Sequence, residues 1–144
     1  LAAGGTLTLV SVHCSSGIAL DDQACRKKQL EQVFVDMGDG EPAASGEINI
    51  ILGDFNTDPG RAASFDVSAA HFNTLAGPGK RFRFLSEVGK EAKPTYAGVI
   101  NIDHALSDVL TGSCWSAGVT PGHPAVIKAK YFDHNPLVCT VSKP

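Results

Sequence analysis

Two apolar runs, each closing on polar residues and separated by a stretch of helical period, constrain this chain most. Thr6–His13 reads TLTLVSVH and Glu47–Leu52 reads EINIIL, followed directly by Gly53-Asp54-Phe55-Asn56. In the first run Leu7 and Leu9 fall on one side and Val10 and Val12 on the other. Apolar character on both faces predicts a strand in the middle of a sheet. Between the runs, Leu30, Val33, Phe34 and Met37 recur at i, i+3, i+4 and i+7, the stripe of an amphipathic helix. Asp21 and Asp22 are candidate N-caps, and Gly38-Asp39-Gly40 is a stop. Strand, helix and strand in this order predict an α/β layer.

The remainder reads as one short helix and then strands. Arg61 to Leu75 holds a short helix and a loop, Arg81–Leu85 alternates, and Val99–Leu106 is a strand carrying Asp103. Ser107–Ser116 continues as strand, Ala125–Tyr131 is another, and Leu137–Val141 the last, so the second part is largely antiparallel. At 144 residues a single domain, 1–144, is expected. No apolar run approaches the roughly 18 residues of a membrane-spanning helix. Charge is too low and hydrophobicity too high for a disordered chain. A net charge of −3 gives no support for a nucleic-acid partner and does not exclude one.

Four cysteines lack CxxC spacing, which argues against a zinc ribbon. Of the three possible pairings, Cys14–Cys25 and Cys114–Cys139 are favoured, each stabilising by about 2–4 kcal/mol. Disulfides predict a secreted or periplasmic protein. Leu1-Ala-Ala-Gly-Gly5 reads as a strand end and hairpin turn, so a strand is expected to have preceded it in a longer chain.

Residues with catalytic potential stand where apolar strands end: His13, Asp54 and Asn56, Asp103, and Asp133-His134. Rigid strands deliver them to one edge, as open α/β folds do with their functional groups. A strand Asp beside a loop Asn suits a bound water or metal, and Asp-His offers an oxygen ligand with an imidazole donor. Taken singly, each is more often structural. His71, His104 and His123 have no such partner and read as structural, and His104 should face away from Asp103 on its strand. Arg81 and Arg83 read first as a solvated strand face, with phosphate contact the weaker alternative, and Trp115 reads as core.

Gly53-Asp54-Phe55-Asn56 resembles the GDFN motif of the endonuclease/exonuclease/phosphatase superfamily, the group of DNase I, apurinic endonucleases, sphingomyelinases and inositol polyphosphate phosphatases. Val12-His13 resembles that family's HL motif. Ile102-Asp103, with Pro94-Thr95-Tyr96 upstream, resembles its IDY/IDH motif, and Asp133-His134 its terminal SDH motif, with Phe132 in place of Ser. Four motifs in order over residues 6–141 make the likeness specific. It implies the C-terminal half of a DNase I-like four-layer α/β sandwich, a mixed sheet with outer helices.

The resemblance also implies in-line hydrolysis of a phosphoester. Asp54 would orient or deprotonate the attacking water and Asn56 would position Asp54 or the phosphate. His134 would donate to the phosphoryl oxygen, Asp103 would orient His134, and His13 would act on the phosphate or leaving group. Asp133, with Asp54 and Asn56, would hold Mg²⁺, or Mn²⁺ or Ca²⁺. The family's first half, with its metal-binding Glu, has no counterpart in these residues. A separate N-terminal half, or a homodimer across the bare sheet, is therefore the expected partner. A secreted nuclease acting on DNA or RNA is the leading expectation. The alternatives are a lipid or inositol phosphate phosphodiesterase or phosphatase, or a catalytically silent binding half-domain.

Overall fold

The computed structural model describes residues 5–38, 40–124 and 133–144. Strand β1 is Leu7–His13, helix α1 is Leu20–Phe34, and strand β2 is Ile48–Asp54, parallel to β1. Helix α2 (Val67–Leu75) and the short strand β3 (Arg83–Phe84) follow, then β4 (Asp103–Ser107), β5 (Thr111–Ser116) and β6 (Leu137–Ser142). The four-stranded sheet has the order β1-β2-β4-β3, with β4 antiparallel to both neighbours, and β5 and β6 form a separate antiparallel ladder. The architecture is mixed α/β, a mixed sheet with two helices.

Strand alternation divides the residues between two faces. Val10, Val12, Ile51, Leu106 and Phe84 pack with Leu30 and Val33 of α1 and Phe72 of α2. Phe72 anchors this layer, its ring against those of Phe34, Phe55 and Phe84. A buried ion pair fastens the two helices. Arg26, 1% exposed, donates to Asp66 at 2.9 Å and to Ser68 Oγ at 3.0 Å. Asp66 in turn caps α2 by accepting from the Ser68 and Ala69 N–H groups. A charge this deep is tolerated because its guanidinium donors find acceptors.

The other face is open. Leu9, Ile50, Leu52, Ala105, Leu137 and Val141 line an apolar groove of about 580 Å³ between the sheet and the β5–β6 ladder. Cys114 and Cys139 face each other in that ladder and are disulfide-bonded. No helix among the described residues is long and apolar enough to cross a membrane.

Several expectations need correction. Cys14 and Cys25 are free: Cys14 is buried at the end of β1 and Cys25 is exposed on α1. Burial pushes the Cys14 thiol up to about 11, so it behaves as an inert apolar group. β1 pairs only with β2 and is an edge strand among the described residues, its Leu7 and Leu9 exposed on the groove side. Helix α1 stops at Phe34 and leaves Met37 exposed. The Ala43 and Ala44 N–H groups bond the Gln32 and Val33 carbonyls, so the returning chain satisfies the last turn early. Asp21 and Asp22 lie in the first turn of α1 and Ala19 is the N-cap; their charges favour the helix dipole from inside it.

The expected strand from Val99 begins only at Asp103, because Ala97 and Gly98 take positive φ and turn the chain at Tyr96–Ile100. The expected continuation through Ser107–Ser116 breaks at Asp108. Ser107 Oγ accepts the Val109 and Leu110 N–H groups there, a local turn. Arg81 bonds Asp108 at 3.0 Å, and only Arg83–Phe84 of the Arg81–Leu85 stretch joins the sheet. The expected strand Ala125–Tyr131 lies outside the described residues.

Candidate active site

The sheet register assembles the site. His13 pairs with Asp54 across β1 and β2, and Asp54 pairs with Asp103 across β2 and β4. Paired residues share a face, so three side chains from three strands form one transverse row at the end of the groove. Gly53 makes the approach possible. Its φ is 139°, and a Cβ there would collide with the Val12 carbonyl.

Each member of the row is held from behind. The Asn56 backbone N–H donates to Asp54 Oδ1 at 2.7 Å, and Asn56 Nδ2 donates to Asp54 Oδ2 at 3.1 Å and to the Cys14 carbonyl at 2.8 Å. Asn56 takes φ 50° to do this, a conformation Asn tolerates better than most residues. Asp103 is set by Thr95, whose buried hydroxyl accepts from both the Ile102 and Asp103 N–H groups at 3.0 Å.

His134 comes from the segment before β6 and completes the cluster. Its Nδ1 lies 2.8 Å from Asp103 Oδ2. A carboxylate only accepts, so Nδ1 carries the proton and Nε2 is turned toward Asp54 Oδ2, 3.8 Å away. His13 Nε2 lies 3.7 Å from the same Asp54 oxygen, with its side chain largely in solvent. Asp54, Asp103 and His134 each offer a ligand atom within 4.8 Å of the others, a set able to hold a metal ion.

No protein-family model matches the chain, and no curated protein does. What the site can do is therefore argued from its own groups.

Burial is the main cause that raises the Asp54 carboxyl. The Asn56 N–H opposes it, the Asp103 charge adds to it, and His134 and His13 lower it, with a net upward shift. Burial pulls His134 down, but the hydrogen bond and charge of Asp103, then Asp54 and Asp133, outweigh it and the net shift is upward. A carboxylate that keeps its proton affinity beside an imidazole that keeps its proton suits general-base and donor roles.

The five expected catalytic residues thus meet at one place: His13, Asp54 and His134 around one oxygen, Asp103 behind His134, Asn56 behind Asp54. The metal-capable triad shares only Asp54 with the expected ligands. Asp133 is exposed next to His134, its carbonyl accepting the Ala97 N–H at 3.4 Å, and Asn56 is engaged with Asp54. Residues that sequence reasoning gave no role support the site. The Tyr96 ring lies 4.8 Å from that of His134. Asn135 donates through its backbone to the Thr95 carbonyl at 2.6 Å and through Nδ2 to the Pro94 carbonyl at 3.2 Å. The signal for Thr95 and Tyr96 was their place in a motif, which names positions without roles.

The other histidines stay outside. His104 is fully buried among Phe55, Phe72 and Phe84. His71 Nε2 faces Glu31 at 3.2 Å, and the His123 ring stacks on a half-buried Trp115 at 3.9 Å.

Proposed function

We propose that the chain carries the active site of a metal-assisted phosphoester hydrolase, built as one half of a DNase I-like sandwich. The row His13–Asp54–Asp103 with His134 docked on Asp103 is the observation that supports it most. Two carboxylates beside an imidazole offer oxygen donors of the kind Mg²⁺, Mn²⁺ or Ca²⁺ takes, with positions left for water and a phosphate oxygen. Asp54 and Asp103 would hold the ion through carboxylate oxygens, with Asp133 adding its charge nearby and His134 beside the ion as a donor. The ion would supply neutralisation of the phosphoryl charge.

The chain's own groups divide the remaining work. Asp54, fixed by Asn56, orients the attacking water and takes its proton. His134, kept protonated by Asp103, donates from Nε2 to a phosphoryl oxygen as charge builds there. His13, on the solvent side, meets the phosphate or the leaving oxygen. The reading covers phosphodiesters as a class, nucleic acid included. Arg26, Arg61 and Arg81 are each paired with a carboxylate, Arg26 in the core and Arg81 at the surface.

The apolar groove abuts the site, and a further sheet laid on it, from a separate N-terminal half or a second copy, would add a ligand and exclude water. The Cys114–Cys139 disulfide supports a secreted or periplasmic setting. The test is turnover of bis(p-nitrophenyl) phosphate by the 144-residue chain with Mg²⁺ or Mn²⁺. Asp54→Ala and His134→Ala are each expected to lower the rate by about 10²-fold or more while preserving the melting temperature. Absence of turnover in the parent chain would make this half catalytically silent on its own, and unchanged rates in either variant would move catalysis elsewhere.

A further inference from the structure

Asp103 and His134 form one hydrogen-bonded pair but belong to different parts of the fold. Asp103 opens β4 of the four-stranded sheet, whereas His134 precedes β6 of the separate ladder. Their side chains meet at 2.8 Å across 31 positions of sequence. A bond of that length needs a fixed spacing between the two backbones. The segment 94–97 lies between them and is bonded to both.

Thr95 does most of this joining, and it is fully buried. On the sheet side its hydroxyl oxygen accepts the Ile102 and Asp103 N–H groups, each at 3.0 Å. Its own N–H donates to the Ile100 carbonyl at 2.9 Å. On the ladder side its carbonyl accepts the Asn135 N–H at 2.6 Å, one residue past His134. The Pro94 carbonyl accepts from Asn135 Nδ2 at 3.2 Å, and the Ala97 N–H donates to the Asp133 carbonyl at 3.4 Å. One residue thus holds the backbone of Asp103 through its side chain and the backbone beside His134 through its carbonyl.

The consequence is chemical. A free neutral imidazole carries its proton mainly on Nε2, and a partner on one ring nitrogen can reverse that choice. The Asp103 carboxylate draws the proton to Nδ1 and leaves Nε2 facing Asp54. The reversal lasts only while the two backbones keep their spacing.

We propose that Thr95 is a positioning residue, whose hydroxyl sets the spacing of Asp103 and His134 and with it the tautomer of His134. The effect on the tautomer stands on the geometry alone, whereas the effect on rate rests on the hydrolase reading above.

Thr95→Val and Thr95→Ser in the whole chain test it. Val keeps the shape and leaves two buried N–H groups without their acceptor, while Ser keeps the hydroxyl. Long-range ¹H–¹⁵N spectra of the metal-free protein, at a pH where His134 is neutral, read the tautomer through the carbon-bound ring protons. The parent and Thr95→Ser are expected to hold the proton on Nδ1, and Thr95→Val to shift it toward Nε2. In turnover of bis(p-nitrophenyl) phosphate with Mg²⁺, Thr95→Val should lower kcat by about 10²-fold with KM little changed. Thr95→Ser should recover most of that loss. Thr95→Val with the parent's tautomer, or Thr95→Ser as altered as Thr95→Val, would overturn the proposal. Should Thr95→Val not fold, amide exchange in the parent decides. The Asp103 and Asn135 N–H groups, bonded to one residue, should be protected alike, and free exchange at Asn135 would overturn the proposal. A shifted tautomer with kcat unchanged would overturn the effect on rate alone. A Thr95-dependent tautomer in a chain without turnover would uphold the positioning and count against the hydrolase reading.

Discussion

Asp103 is the residue on which the site's electrostatics turn. Its backbone N–H is fixed by Thr95, its carboxylate takes the Nδ1 proton of His134, and its charge raises both His134 and Asp54. A folded-state pKa above the ordinary 6.5 means that His134 binds its proton more tightly in the native chain than in the unfolded one. Its share of stability is therefore complete below 6.5 and fades as pH rises through the native value. An NMR titration of the metal-free protein should place the His134 midpoint above 6.5, and Asp103→Asn should bring it down. A midpoint unmoved by Asp103→Asn would mean that the carboxylate does not govern the imidazole.

Among the elements, the β5–β6 ladder depends most on a single bond. It sits apart from the four-stranded sheet and meets it through Leu85, Ala105, Cys114, Leu137 and Cys139. The disulfide closes a loop with a sequence separation of 25 and should add about 2–4 kcal/mol. Reduction, or Cys114→Ser with Cys139→Ser, should lower the urea midpoint accordingly, and an unchanged midpoint would show that the ladder holds without it. This pairing was legible because each cysteine falls inside a run that reads as strand. The Cys14–Cys25 pairing failed because spacing cannot tell that one thiol enters the core while the other stays on the solvent side of a helix. The polar ends of β1 and β2 were legible in the same way, since apolar runs mark their own limits, whereas the start of β4 at Asp103 was hidden inside the apolar run Val99–Leu106. The register that aligns His13, Asp54 and Asp103 was not legible either. It is set by turns far from these residues, and a slip of one position would send a side chain to the opposite face.

For the molecule as a whole, His104 sets the acid limit of stability. It is buried among three phenylalanines, and its Nε2 lies 3.3 Å from the Thr57 carbonyl, so Nε2 carries the proton. Nδ1 faces Ser86 Oγ at 3.3 Å and accepts from it, which satisfies the neutral ring. Burial, the main cause, pushes its pKa down to about 4 from 6.5. Between these values the unfolded chain binds a proton that the native chain refuses, so stability falls as pH drops from 6.5 toward 4. The full loss is on the order of 3 kcal/mol. Asp66 and Asp108, both lowered in the native state, extend the loss to more acid pH, while Asp54, raised, offsets part of it. Above 6.5, His134 tilts the profile the other way, so stability should peak near neutral pH. Urea unfolding at successive pH values would check this. A profile flat from pH 6.5 to 4.5 would require that the core admits a charged His104, and with it that the layer between sheet and helices opens to water.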